Sequence, residues 1–266
     1  MYEEEDMSFD SLFNLCVEYV VNHLQLMASK NILLPYEICD ALVEVYQQKG
    51  NIVDDEFIHI FRNPLKTPLK RINLRYWKFE NQESFHILLC HQLIELNLGT
   101  CLVKPILGDE FLLPFINKIK NLSKFSCDQD VANSLFKAIN YSLGTSNNLL
   151  KHLSVKSLNQ VDMANIFMIV SPQKLTHLNL SKCKVIRNLD FLLEMPKLTS
   201  LTLHGINIKE MEFISIKLLH NLKQLNLSFP ESTFMPLDLH LASLIENLQN
   251  LIYLDISGWN LFGNCK

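Results

Sequence analysis

The sequence predicts an α/β solenoid of stacked repeats preceded by a small helical unit, and three observations carry that expectation. The spacing L-x-x-L-x-L recurs along most of the chain, residues 8–62 carry apolar side chains at helical spacing instead, and 48% of the 266 residues are hydrophobic against 20% charged. A chain of this size buries roughly 70–75% of its unfolded surface, enough for one large domain or two small ones.

The helical part is read first. A helix over about 9–28 places Leu12, Cys16 and Val20 at i, i+4 and i+8, with Leu15 and Tyr19 alongside and Leu24 extending the stripe. A second helix opens at Leu34-Pro35, because proline at the first helical position loses no needed N–H, and Glu37 sits early in it, where the helix dipole favours an anion. Its stripe is Ile38, Leu42 and Val45, and Gly50 ends it. A third, short helix runs from Asp54, which can cap it, to Phe61, before Asn63-Pro64 stops the chain from continuing as helix.

The repeats follow. Clear copies start at Leu93, Leu175, Leu198, Leu222 and Leu251, and weaker ones at Leu69, Leu122 and Leu150. In order, the starts 69, 93, 122, 150, 175, 198, 222 and 251 are separated by 24, 29, 28, 25, 23, 24 and 29 residues. These intervals lie in the window of roughly 20–29 residues that marks leucine-rich repeats. The second and third apolar positions of each copy are two residues apart, so on a strand they face the same way, into a core that one copy could not close alone. Stacked parallel strands solve this, and the intervening residues form short helices or irregular segments on the outer side. In Leu93–Cys101 and Leu175–Cys183 the pattern extends to LxxLxLxxC, with a small Cys where the chain turns out of the strand. The predicted division is a helical unit over 1–64 and a solenoid over 65–266, with no capping element in Asn260–Lys266.

Between the buried leucines, two outward columns emerge. One reads Glu95, His152, His177, Ser200, Gln224, Tyr253, and the next Asn97, Ser154, Asn179, Thr202, Asn226, Asp255. On a solenoid these line the concave face, so Asn97, Asn179, Thr202, Asn226 and Asp255 form a polar strip on which a protein partner can dock. The same strip also reads as ordinary solvated strand surface.

Several function classes lose support at this level. The formal charge of −4 and the acidic opening Met1-Tyr2-Glu3-Glu4-Glu5-Asp6 argue against a signal peptide, and no apolar run reaches the ~18–20 residues of a membrane span. The seven Cys, at least eleven residues apart, suit reduced thiols in the cytoplasm or nucleus better than a disulfide framework. The seven dispersed Gly form no GxGxxG and no P-loop, so no nucleotide cofactor is expected, and there is no GxSxG elbow or paired Cys/His signature to mark an enzyme. His86, Cys90, His91 and Cys101 could be imagined around zinc, yet no CxxC or HExxH accompanies them, and Cys90 and Cys101 read as packing residues; no metal is expected. The basic cluster Lys66, Lys70, Arg71, Arg75 and Lys78, interleaved with Tyr76 and Trp77, has some of the composition of a nucleic-acid surface. It spans the first repeat strand, where charged and apolar residues alternate anyway, and nucleic acid is not expected as a partner.

Ser11-Leu12-x-x-x-Cys16-x-x-x-Val20 resembles the elongin-C-binding box of cullin-2 substrate receptors. Leu34-Pro35-x-x-Ile38-x-x-x-Leu42, beginning fourteen residues after Val20, resembles the cullin-2 box that accompanies it. Leu34-Pro35-x-Glu37-Ile38 also resembles the opening of an F-box, which the upstream Leu12/Cys16 box disfavours. With Leu33–Asp40, Phe57–Pro64 and the repeats, nearly the whole chain is similar to the Zyg-eleven/Zer-one family of substrate receptors. The resemblance implies a non-enzymatic receptor or adaptor of a cullin-2, elongin-B/C ubiquitin ligase: Ser11, Leu12, Cys16 and Val20 would meet elongin C, Leu34, Pro35, Ile38 and Leu42 would favour cullin-2, and protein substrates would be brought for ubiquitination. Members of that family continue into an armadillo-like domain that recognises an N-terminal glycine. This sequence stops at Lys266, so none of that pocket carries over, and either a fragment or truncated form, or an open end covered by a partner, is expected. The alternative is a leucine-rich-repeat binding scaffold without a ligase role, whose helical unit merely caps the solenoid. Under it, Leu12 and Cys16 should be buried against Leu69–Leu98.

Overall fold

The computed structural model describes residues 9–24, 26, 32–51, 53–74, 78–79, 82–99, 102–103, 121–128, 149–157, 170–183, 188–208, 210–229 and 238–259. The chain divides into two compact units, Met1–Ile106 and Leu107–Lys266.

The first unit holds helices α1 (Phe9–Asn22), α2 (Tyr36–Gln48), α3 (Asp55–His59) and α4 (Gln82–Leu89). With them are strands β1 (Arg71–Asn73), β2 (Lys78–Phe79), β3 (Glu95–Asn97) and β4 (Leu102–Val103). The helical segment thus shares its unit with the first two repeat strands. β1 pairs in parallel with β3, and β2 with β4. The punctuation expected from sequence is visible: Pro35 immediately precedes α2, the Asp54 carboxylate accepts the Phe57 N–H at 2.9 Å, and Gly50 turns the chain with φ +78° after α2. α1 ends at Asn22, short of the expected residue 28; Leu26 is helical, and residues 25 and 27–31 lie outside the described residues.

The core of this unit is made by Val17, Val20 and Val21 of α1, Cys39, Leu42 and Val43 of α2, and Phe57, Ile58 and Phe61. Tyr46 stacks on Phe57 at 4.1 Å, and Phe61 meets Phe57 edge-on at 5.6 Å. Two polar side chains tie α2 and α3 to the first repeat. Asp40 accepts the N–H groups of Lys70 and Arg71 at 2.9 and 3.0 Å. His91, 1% exposed, accepts the Leu69 N–H on Nδ1 at 3.0 Å and donates from Nε2 to the Phe61 carbonyl at 2.8 Å.

The second unit is the solenoid proper. Strands β5 (Lys124–Asp128), β6 (His152–Lys156), β7 (His177–Asn179), β8 (Ser200–Thr202), β9 (Gln224–Asn226) and β10 (Tyr253–Asp255) pair in parallel in chain order. Phe125, Leu153, Leu178, Leu201, Leu225 and Leu254 share one register row, which is the repeat pattern made physical. The first five are at most 2% exposed, while Leu254 is half-buried. The weaker copies read from sequence bury their apolar residues as completely as the clear ones: Leu122, Phe125 and Cys127, and Leu150, Leu153 and Val155, are all at most 2% exposed. Between strands the chain forms turns of 3-10 helix at Pro172–Lys174 and Asp190–Glu194, and helices α5 (Glu210–Lys217) and α6 (Asp238–Asn247). This is the α/β leucine-rich-repeat solenoid expected from the spacing. No helix among the described residues is long and apolar enough to cross a membrane.

Candidate functional site

Helix α1 has two apolar faces. Leu12 and Leu15 are each 50% exposed, Tyr19 58%, and Cys16 is exposed beside them, whereas Val17, Val20 and Val21 are buried. Helix geometry explains the split. At about 100° per residue, positions 12, 15, 16 and 19 cluster within roughly 60° of Leu12, while Val20 is turned about 80° from it, to the side that packs inward. Of the residues read as an elongin-C box, Ser11 lies on α1, Leu12 and Cys16 are presented outward, and Val20, 6% exposed, belongs to the core. Leu15 and Tyr19 complete the outward face. Their signal was the i, i+3, i+4, i+7 spacing, which tracks one helix face more closely than i, i+4, i+8. Tyr19 is itself held: its ring stacks on His23 at 4.2 Å, and His23 Nδ1 donates to the Tyr19 carbonyl at 2.8 Å.

The second predicted set divides in the same way. Pro35 is exposed, Leu34 and Ile38 are half-buried, and Leu42 is fully buried. Leu33, 73% exposed, and Leu65, 85% exposed, bring further apolar surface near Leu34, whose N–H donates to the Lys66 carbonyl at 2.8 Å. Around α2, burial pushes the Cys39 thiol up to about 12, helped by the nearby Asp40 and Glu37 carboxylates. Cys39 is therefore an inert packing group. Burial also raises the Asp40 carboxyl, against the pull of its two backbone donors.

The predicted polar strip on the strands is largely engaged in local structure. Asn179 Oδ1 accepts from the Ser181 N–H at 2.9 Å, Asn226 Oδ1 from Ser228 at 2.9 Å, Asp255 Oδ1 from Ser257 at 3.0 Å, and Asn97 Oδ1 from the Gly99 N–H at 3.0 Å. These are Asx turns that take the chain out of each strand. The bonds from Ser257 hold the Asp255 carboxyl below the usual carboxylate range. Thr202 has no such turn in its own repeat, where Gly205 provides the left-handed residue with φ +70°.

Among the described residues the zinc constellation does not form. Both His91 nitrogens are committed to backbone, Cys101 lies outside the described residues, and Cys90, expected to pack, is exposed because α4 ends at Leu89 and Cys90 falls on the turn that follows. Among the described residues no three His, Cys, Asp or Glu side chains are grouped as metal ligands. Cys183 does fill the turn position expected of it, buried with Sγ 3.5 Å from the Val155 carbonyl. In the basic cluster, Lys70 is seated over the Tyr36 ring at 3.5 Å, and Arg75, Tyr76 and Trp77 lie outside the described residues. What the arrangement offers chemically is protein-binding surface.

Comparison with known proteins agrees with this architecture. Residues 166–266 match the family model described as Zer-1-like, leucine-rich repeats. The Protein zer-1 homolog of Drosophila melanogaster is 27% identical over 297 residues, covering 98% of this chain and 35% of the relative. Those of Homo sapiens and Pongo abelii are each 25% identical over 296 residues, covering 97% of this chain and 38% of theirs. The chain therefore spans little more than a third of the length of these curated relatives. By its stacked repeats and by these matches, the chain is similar to the Zer-1-like leucine-rich-repeat proteins.

Proposed function

We propose that this chain is the recruiting part of a non-catalytic substrate receptor for a cullin-2, elongin-B/C ubiquitin ligase, working in the cytoplasm or nucleus. The observation that carries the reading is the outward face of α1, on which Leu12 and Cys16 of the predicted box are exposed rather than buried against the repeats. That face supports helix-in-groove docking, in which a few apolar anchors supply most of the affinity. Leu12 is the chief anchor in elongin C, Leu15 and Tyr19 flank it, Cys16 lets the helix approach closely, and Val20 holds α1 onto α2 from beneath. Leu34, Pro35 and Ile38 offer the adjoining surface to cullin-2, with Leu42 supporting α2 from the core. The similarity to zer-1 homologues supports the same reading, and the repeats supply a scaffold for presenting protein substrates.

The test is co-purification of the chain with elongin B/C. The wild-type chain retains the pair, and a Leu12→Ala, Cys16→Phe double variant that keeps the wild-type circular dichroism spectrum and unfolding midpoint loses it. Equal recovery by both proteins would leave the leucine-rich-repeat scaffold without a ligase role as the better account.

A further inference from the structure

The outward face of the second unit changes character along its strands. On β5, β6 and β7 it carries Lys124, Ser126, Asp128, His152, Ser154, Lys156, His177 and Asn179; on β8, β9 and β10 it carries Ser200, Thr202, Gln224, Asn226, Tyr253 and Asp255. Among the strand residues, cations are thus confined to the first half, although the chain as a whole is acidic. Register places Asp128 beside Lys156 at one end of these strands. At the other end Lys124, His152 and His177 share a row, and the row continues in neutral Ser200 and Gln224. Lys151 precedes the row on β6, as Lys223 does on β9, and Lys174 lies in the 3-10 turn before β7.

The two imidazoles are stacked, with centroids 3.8 Å apart and planes 18° from parallel. The Thr176 hydroxyl donates to the Lys151 carbonyl at 3.0 Å, so its oxygen accepts from His177 Nδ1 at 2.8 Å. That fixes the neutral ring with its proton on Nδ1 and leaves Nε2 as the atom that takes a second proton. Burial, reinforced by the Lys124 ammonium, holds His177 below the usual histidine range. A carboxylate set down on the row would reverse that balance.

We propose that the row Lys124–His152–His177 is a docking surface for an Asp/Glu-rich protein segment, which binds with uptake of protons onto the stacked histidines. The occupant follows from charge complementarity: strand spacing of about 4.8 Å puts the three groups within reach of successive acidic side chains of one extended peptide. A single-stranded nucleic acid fits less well, because such binding uses open aromatic faces and the two rings cover one another. The surface is independent of α1 and of the ligase reading.

The experiment is a fluorescence titration of the full chain with a labelled oligoglutamate peptide. Binding tightens about tenfold between about pH 7.5 and about pH 5.5, the range in which histidine but not glutamate changes charge, and weakens with added salt. A His152→Gln, His177→Gln double variant loses the pH response. Lys124→Gln weakens binding at both pH values and keeps the response. Proton uptake by the wild-type chain, measured by calorimetry in buffers of different ionisation enthalpy, gives the same answer should the double variant fail to fold. Peptide affinity indifferent to pH, or no net proton uptake, overturns the proposal. So does tighter binding of an oligouridylate, which would make the row a nucleic-acid surface, or acid-induced self-association that excludes the peptide, which would make it an interface between copies.

Discussion

His91 bonds two backbone groups from different parts of the first unit, the Phe61 carbonyl and the Leu69 N–H, and is itself 1% exposed. Truncation would leave both groups buried without a partner. His91→Ala is therefore expected to cost about 2–4 kcal/mol, measured as a shift of the denaturant midpoint at unchanged slope. From sequence, the residue stood out only for its place among His86, Cys90 and Cys101. A histidine beside cysteines looks the same whether it holds a metal or two peptide groups; the deciding fact, that both nitrogens point at backbone, belongs to tertiary structure. The Asx turns were more legible. Asn97-x-Gly99, Asn179-x-Ser181, Asn226-x-Ser228 and Asp255-x-Ser257 put an acceptor side chain two residues before the N–H that it binds. That spacing gives these residues a structural use that solvent-facing position alone does not reveal.

At the scale of the element, α1 and α2 separate positions that one motif groups together. Leu42 is fully buried and Leu12 is half exposed, so Leu42→Ala is expected to destabilise the chain by about 2–5 kcal/mol. Leu12→Ala should leave the unfolding midpoint nearly unchanged while weakening elongin binding by about tenfold to a hundredfold. Paired unfolding curves and binding titrations separate the two effects. The existence and order of the helices were readable because Pro35, Gly50 and Asp54 punctuate them by local chemistry. Which way each face points was less readable. Both sides of α1 are apolar, and only its packing on α2 decides that Val20 faces inward while Leu12 and Cys16 face out.

Across the whole molecule the repeat period was the strongest signal, because every copy must place its leucines in the same register row for its neighbours to be buried. Even Leu122-x-x-Phe125-x-Cys127 obeys the rule with no leucine at its second or third position. The compact units were less legible: the first two repeat strands belong with the helices, since Asp40 and His91 bind them there, and nothing in the spacing of leucines announces those bonds. Under the proposed function, the outward face of α1 is the surface that elongin C covers. Alkylation of the native chain tests this most directly, because Cys16 and Cys90 are exposed whereas Cys39, Cys127 and Cys183 are buried. Cys16 and Cys90 are both expected to be labelled in the free chain, and saturating elongin B/C to protect Cys16 while Cys90 keeps its rate. Labelling of Cys16 at the same rate with and without elongin B/C would contradict the proposed function.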